Sequence, residues 1–146
     1  MQPLTREQIL ALIPHAGAMC LLDRVLRWNS ASIHCHSDAS HRDRDHPLRR
    51  NGGLVSVHLI EYGAQAAAVH AGLLARESGR PAPAGGFLAA LRDVVLGQQQ
   101  LDGIAGALYV RAACEMAGAQ GMIYRFAVES AGAPLASGRL TIMGVG

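Results

Sequence analysis

Lysine is missing from this chain: every one of its 13 basic residues is an arginine. With the abundance of alanine and glycine, that reads as a compositional bias of the source genome rather than an adaptation. Charge of either sign is sparse, at 16% of residues, and the formal net charge is only +2. That is too small for nucleic acid to be the main partner. Cys20, Cys35 and Cys114 are odd in number and widely spaced, with no CxxC pair, which argues against a disulfide framework and a zinc ribbon. The opening MQPLTREQILALIPH lacks a basic region followed by an apolar run and a small-residue cleavage site, so no signal peptide is expected. The longest apolar stretch is interrupted by His58, Glu61, Gln65 and His70, too often for a membrane span. No phosphate loop, nucleotide fingerprint or GxSxG elbow occurs. The expectation is a globular protein in a reducing, cytoplasmic setting, with no cofactor implied.

Half of the 146 residues are hydrophobic, enough for the core of one domain spanning 1–146. Thr5 and Gln8 form a capping-box pattern before Ile9, Leu10 and Leu12, which predicts a short helix ended by Pro14. Residues 21–28 and 31–37 have the look of strands around an Asn29-Ser30 turn. The polar run 37–53 is a loop. A helix is expected from 54 to about 78, with Gly79 and Pro81 as stop signals. Strand-length runs follow at 87–96, 107–114, 122–128 and 135–143. Short turns favour antiparallel pairing, and the long apolar helix must be covered. The expected class is α+β, an antiparallel sheet wrapped around a central helix.

Within that helix lies one acid, Glu61. Leu59, Ile60, Ala64 and Ala68 leave little room for a polar face, so the carboxyl is expected to be buried, with a raised pKa suited to proton donation. Candidate bases are near. His41 and His46 lie in the preceding loop, and His58 is three positions before Glu61 on the same helical face. His70 is more than two turns further on. His34, His36 and Asp38 alternate as strand residues sharing one face, with His41 as a fourth ligand, in an HxHxD pattern that resembles a metallo-hydrolase motif. The chain is too short for that fold and has no second ligand group, so no metal is expected.

Two segments carry a family resemblance. Residues 13–25, IPHAGAMCLLDRV, resemble the LPH…LLVDRV signature of the 3-hydroxyacyl-acyl-carrier-protein dehydratases, and residues 61–67, EYGAQAA, are similar to that family's EAMAQAA. His46-Pro47 falls roughly where the family has its HFPG loop. The resemblance extends over nearly the whole chain and is strongest toward the shorter, divergent dehydratases of aryl-polyene clusters. It implies the hotdog fold, usually paired as a dimer.

It also implies a chemistry: a loop histidine takes the proton beside the thioester carbonyl, and the helix acid protonates the departing hydroxyl. Backbone N–H groups at the helix start polarise the carbonyl. In the family the two catalytic residues usually come from different protomers. Carried over, Glu61 is the acid and His46 the base, with His41 and His58 as substitutes. Gly53, Leu54 and His58 are the expected substrate contacts, with Gly52 part of the same turn. Gln65, His15 and Asp23 match motif positions with structural roles. The loop departs from the family: PLRRNGGLVSVHLIE follows His46 and neither proline-glycine step is present. The implied partners are an acyl carrier protein bearing a phosphopantetheine-bound acyl chain, met by Arg42, Arg44, Arg49 and Arg50, and a homodimer mate or a related dehydratase in a heterodimer. A hotdog thioesterase and a non-catalytic subunit of a dehydratase pair are the alternatives.

Overall fold

The computed structural model describes residues 2–13, 19–38, 40–43, 45–49, 53–80, 86–97, 100–118 and 121–144. The capping box forms as the sequence predicts: the Gln8 amide donates to Thr5 Oγ1 (3.3 Å), and Gln8 Oε1 accepts from the Thr5 amide (2.9 Å). It starts helix α1, Arg6–Leu10. Pro14 and His15 lie outside the described residues. Strands β1 (Arg24–Trp28) and β2 (Ser32–Ser37) form a hairpin. Asn29 Oδ1 sets its turn by accepting from the Ala31 and Ser32 amides, both at 2.8 Å. Strand β1 begins three residues later than expected, because the segment before it runs along the main helix.

That helix, α2, spans Leu59–Glu77 and is entered through a 3₁₀ turn at Ser56–His58. Its start is the main departure from the expected boundaries. The Leu101 amide donates to the Leu54 carbonyl (2.9 Å), and Val55 bridges to Gln100. Long-range pairing therefore takes two residues that local pattern assigns to the helix. At the other end Gly79 has φ +73°, and the Arg80 amide returns to the Ala75 carbonyl (2.8 Å), a glycine-terminated stop. Pro81 lies outside the described residues.

Four further strands complete the sheet: β3 (Gly86–Leu96), β4 (Leu108–Ala117), β5 (Gly121–Ser130) and β6 (Ala133–Gly144). Pairing is antiparallel throughout, in the order β1-β2-β4-β5-β6-β3. Alternate residues Leu108, Val110 and Ala112 of β4 and Tyr124, Phe126 and Val128 of β5 point inward. They close on Leu59, Tyr62, Ala66, Val69 and Leu73 of α2. The approach is tightest at Gly63, where a Cβ would sit 2.6 Å from the Phe126 ring. This sheet curled around one helix is the expected hotdog architecture. Among the described residues no helix is long and apolar enough to cross a membrane.

Candidate functional site

Glu61 does not lie on the core side of α2. Buried residues occupy most of the circumference, but Ile60, Glu61, Ala64, Ala68 and Ala71 form a half-buried stripe, in which Ile60, Ala64 and Ala68 pack against the edge of the core. Alanine is apolar on either side of a helix, so the sequence pattern overstates the enclosure; the expectation of a carboxyl shut in the core is corrected here. Glu61 Oε1 accepts from Gln65 Nε2 (3.2 Å), one turn further on. Gln65 is itself buried. Its Nε2 donates to the Met19 carbonyl (2.7 Å), and its Oε1 accepts from the Leu21 amide (2.9 Å). One side chain thus ties the segment before β1 to α2 and orients the carboxyl. Asp23 is structural in kind: its Oδ2 accepts from the Asp38 amide (2.7 Å).

The histidine loop is wound from tight turns. A 3₁₀ turn at Ser40–Arg42 leads into successive bonds from Asp43 N to Ser40 O, His46 N to Asp43 O and Arg49 N to His46 O. His46 is buried at 5% exposure, beside the first turn of α2. It meets Tyr62, the neighbour of Glu61 in sequence. Its Nδ1 accepts from the Leu48 amide (3.0 Å), and Nε2 lies 3.0 Å from Tyr62 Oη. Because Nδ1 accepts, Nε2 bears the proton and donates to the phenol. The phenol in turn donates to Ser40 Oγ (2.6 Å), and Ser40 contacts Ser37 Oγ (2.7 Å). Burial drives the His46 pKa down to about 4, with Arg49 and His58 adding to the fall. Burial likewise raises Tyr62 to about 12. The network is neutral at neutral pH, and both nitrogens of His46 are engaged.

Sequence reasoning missed Tyr62. Its signal was available: a single large aromatic inside EYGAQAA, at the end of α2 nearest the histidine loop.

His41 is fully buried and turns away from His46's network. Its Nε2 donates to the Ile104 carbonyl (2.8 Å), while its Nδ1 is buried without a hydrogen-bond partner. Burial lowers its pKa, against the pull of the Ile104 carbonyl. Arg49 clamps the loop from outside: it pairs with Asp102 (2.7 Å) and donates to the Asp43 carbonyl (3.1 Å). Of the four arginines expected to meet a carrier protein, Arg49 is therefore engaged in holding the loop. Arg42 is exposed, and Arg44 and Arg50 lie outside the described residues.

At the helix entry, His58 Nδ1 accepts from the Val55 amide (3.1 Å), so this histidine caps its own turn. Leu54 is a core residue at 0% exposure. Gly53 packs so closely on the segment after β3 that a Cβ would meet Gln100 Oε1 at 2.7 Å. Gly52 lies outside the described residues.

A cleft of about 570 Å³ opens beside the loop, lined in part by Cys20, Asp23, Ser40, Arg42, Asp43 and His46. Glu61 is not among its lining residues, so the cleft does not join the proposed acid and base. On the outer face of the sheet, His36 Nδ1 contacts Asp38 (3.2 Å) and Arg24 (3.2 Å). His41 is held instead at the Ile104 carbonyl, and no group of three or more His, Cys, Asp or Glu residues among those described is arranged to hold a metal. His70 is spent in the core, its Nδ1 accepting from Tyr124 Oη (2.7 Å) and its Nε2 donating to the Asn29 carbonyl (2.8 Å). Burial raises the Cys20 and Cys35 thiols, which leaves them poor nucleophiles.

The model of the ApeP-like family, described as ApeP dehydratase, matches residues 7–145. Among curated proteins none matches. Among solved structures, the dehydratase heterocomplex ApeI:P from Xenorhabdus doucetiae is similar with a TM-score of 0.81 at 24% identity, over 94% of this chain and 91% of that one. A mutant thioesterase from Pseudomonas aeruginosa is similar with a TM-score of 0.66 at 13% identity, over 95% and 92%. A hypothetical thioesterase from Streptococcus pneumoniae, solved with coenzyme A, is similar with a TM-score of 0.58 at 10% identity, over 94% and 91%. At these identities the structural likenesses show the hotdog fold alone.

Proposed function

This chain belongs to the ApeP-like dehydratase family, and from that premise we propose that it serves in converting 3-hydroxyacyl thioesters of acyl carrier protein to trans-2-enoyl thioesters. The setting is cytoplasmic fatty-acid or polyene-type biosynthesis. The observation that carries the reading is the orientation of Glu61. It stands in the first turn of α2, half-buried, and is held by a glutamine that is itself anchored to two backbone groups. A carboxyl so fixed protonates a departing hydroxyl while a neutral histidine takes the C2 proton. The C2–H and C3–O bonds break, the C2–C3 double bond forms, and water leaves. His46 is the histidine that the family motif selects for the second role.

The chain works as one half of a dimer with a related dehydratase. Edge strand β3 supports this: it presents Leu88, Leu91, Val94, Val95 and Leu96 to solvent, Val95 at 64% exposure. An exposed apolar edge strand is a pairing surface. A similar solved structure is also a dehydratase heterocomplex. The exposed Arg42 at the cleft supports a meeting with an acidic carrier protein. A second reading, a non-catalytic subunit that completes its partner, is favoured by the engagement of both His46 nitrogens.

The test is turnover of a 3-hydroxyacyl thioester of carrier protein by the purified protein, alone and mixed with a related dehydratase chain. Water loss is followed by mass spectrometry and free thiol by colour. Dehydration without thiol release is expected, with Glu61→Gln slower by about 10²-fold or more. Full activity in Glu61→Gln would sink the mechanism. Thiol release would make the protein a thioesterase. Stimulation of the partner that survives Glu61→Gln would make it a non-catalytic subunit.

A further inference from the structure

The histidines of the loop and of the α2 segment differ in what their lone pairs do. His46 accepts an amide at Nδ1 and donates to Tyr62 from Nε2. His58 accepts an amide at Nδ1. His70 is bonded at both nitrogens. His41 alone among these four combines a donating nitrogen, fixed on the Ile104 carbonyl, with a buried acceptor that has no partner. Native structures leave few buried polar atoms unpaired, and each one calls for a reason. A base held by one nitrogen, with the lone pair of the other kept open, is the arrangement that general-base histidines require.

A second buried atom is also unpaired. Ser56 Oγ is buried without a hydrogen-bond partner, in the 3₁₀ turn that opens α2. One short segment connects the two: Ile104 holds His41, Leu101 donates to the Leu54 carbonyl, and Gln100 bridges Val55, the residue before Ser56. The open cleft is elsewhere. Ser40 and Arg42 line it, whereas His41 between them turns inward to Ile104.

We infer that His41, not His46, is the catalytic base of this chain, and that the Ser56 hydroxyl is offered to an oxygen of the acyl thioester. The inference rests on the dehydratase reading given above. His41 Nδ1 takes the C2 proton, the electron pair forms the C2–C3 double bond, and the C3 hydroxyl leaves as water with a proton from the carboxyl. Proton return from the imidazolium to the carboxylate, through water, resets the pair. His46 is then a positioning residue that fastens the loop to Tyr62. Burial keeps His41 neutral, as a base must be, and the charged or titratable groups bearing on it are Arg42, Asp102 and His46, with Arg49 on its carbonyl.

The experiment compares wild type, His41→Gln and His46→Gln in the assembly that turns over carrier-bound 3-hydroxyacyl thioester. A glutamine amide at position 41 still donates to Ile104 but has no basic lone pair. We expect His41→Gln to lower kcat about 10²- to 10⁴-fold with KM changed less than about threefold, and His46→Gln to lower it less than about tenfold. His41→Gln should also lose the acid limb of the kcat–pH profile and the exchange of the C2 hydrogen with deuterated solvent. Near-wild-type turnover and C2 exchange in His41→Gln, or a larger loss in His46→Gln, overturns the base assignment alone. Absence of turnover by wild type in any pairing overturns the dehydratase reading and the assignment with it. If His41→Gln does not fold, ¹⁵N spectra of the wild-type histidine rings decide. The His41 Nδ1 resonance must move on adding a hydroxyacyl-pantetheine amide, and a His41 signal that stays fixed overturns the inference.

Discussion

Replacing His46 by glutamine should flatten the acid side of the stability curve by an amount that can be worked from its surroundings. Burial, with Arg49 and His58 adding to it, lowers this imidazole from an ordinary 6.5 to about 4. In the unfolded chain the ring takes up a proton as pH drops below 6.5, whereas in the folded chain it resists until about 4. The unfolded state therefore binds more protons throughout that window, and stability falls with pH across it. The contribution is fully present above 6.5 and gone at about 4. At about 1.4 kcal/mol per pH unit the loss is ~3 kcal/mol. Glutamine can still donate to Tyr62 but cannot titrate. Urea unfolding at pH 7 and pH 4.5 in both proteins isolates the residue together with its coupling to His41 and His58, since His70 and the distant carboxylates are common to the two and cancel in the difference. The wild type should lose about 2–3 kcal/mol more than His46→Gln between those conditions. Equal losses, or an NMR titration of His46 near 6.5, would refute the buried network as described.

Two core predictions follow from the packing of α2. Gly63→Ala drives a methyl into the Phe126 ring, 2.6 Å from two of its carbons, and should cost about 1–3 kcal/mol by overpacking. Phe126→Leu should relieve most of that cost in a double-mutant cycle, and a cycle with no coupling would deny the contact. Tyr124→Phe removes the donor to His70 Nδ1 and leaves a buried acceptor unpaired, at about 1–3 kcal/mol and roughly 2–10 °C in Tm. Calorimetry showing an unchanged Tm would place His70 outside the core.

Local chemistry makes several element ends legible in the sequence. The Thr5–Gln8 box, the Asn29 turn and the Gly79 stop each rest on hydrogen bonds between residues within a few positions of one another. The start of α2 rests on a contact between Leu54–Val55 and Gln100–Leu101, across more than forty residues, and no local pattern reports it. Glu61 shows a different blindness. The helix is apolar around its circumference, but alanines at 64, 68 and 71 fill the less buried stripe as readily as the core, so hydropathy could not say which way the acid faced.

The histidines mark the limit of motif matching itself. A motif selects a residue by type and position, and on that basis His46, next to Pro47, is the natural base. Whether an imidazole can act as one depends on which nitrogen holds its proton and what occupies the other, and those facts come from groups scattered along the chain. Leu48 occupies one nitrogen of His46 and Tyr62 the other. The Ile104 carbonyl, 63 positions away in sequence, fixes one nitrogen of His41 and leaves the second open. The altered loop, which lacks both proline-glycine steps, is where the departure from the family pattern is concentrated. A loop rebuilt so that a different histidine carries the open lone pair keeps the chemistry while losing the motif. The Glu61 segment keeps the family pattern and the histidine loop departs from it, and the two have different reasons. The carboxyl's place on α2 is set by helix geometry and Gln65, while the base can be supplied by any histidine the loop delivers with one nitrogen held and one free.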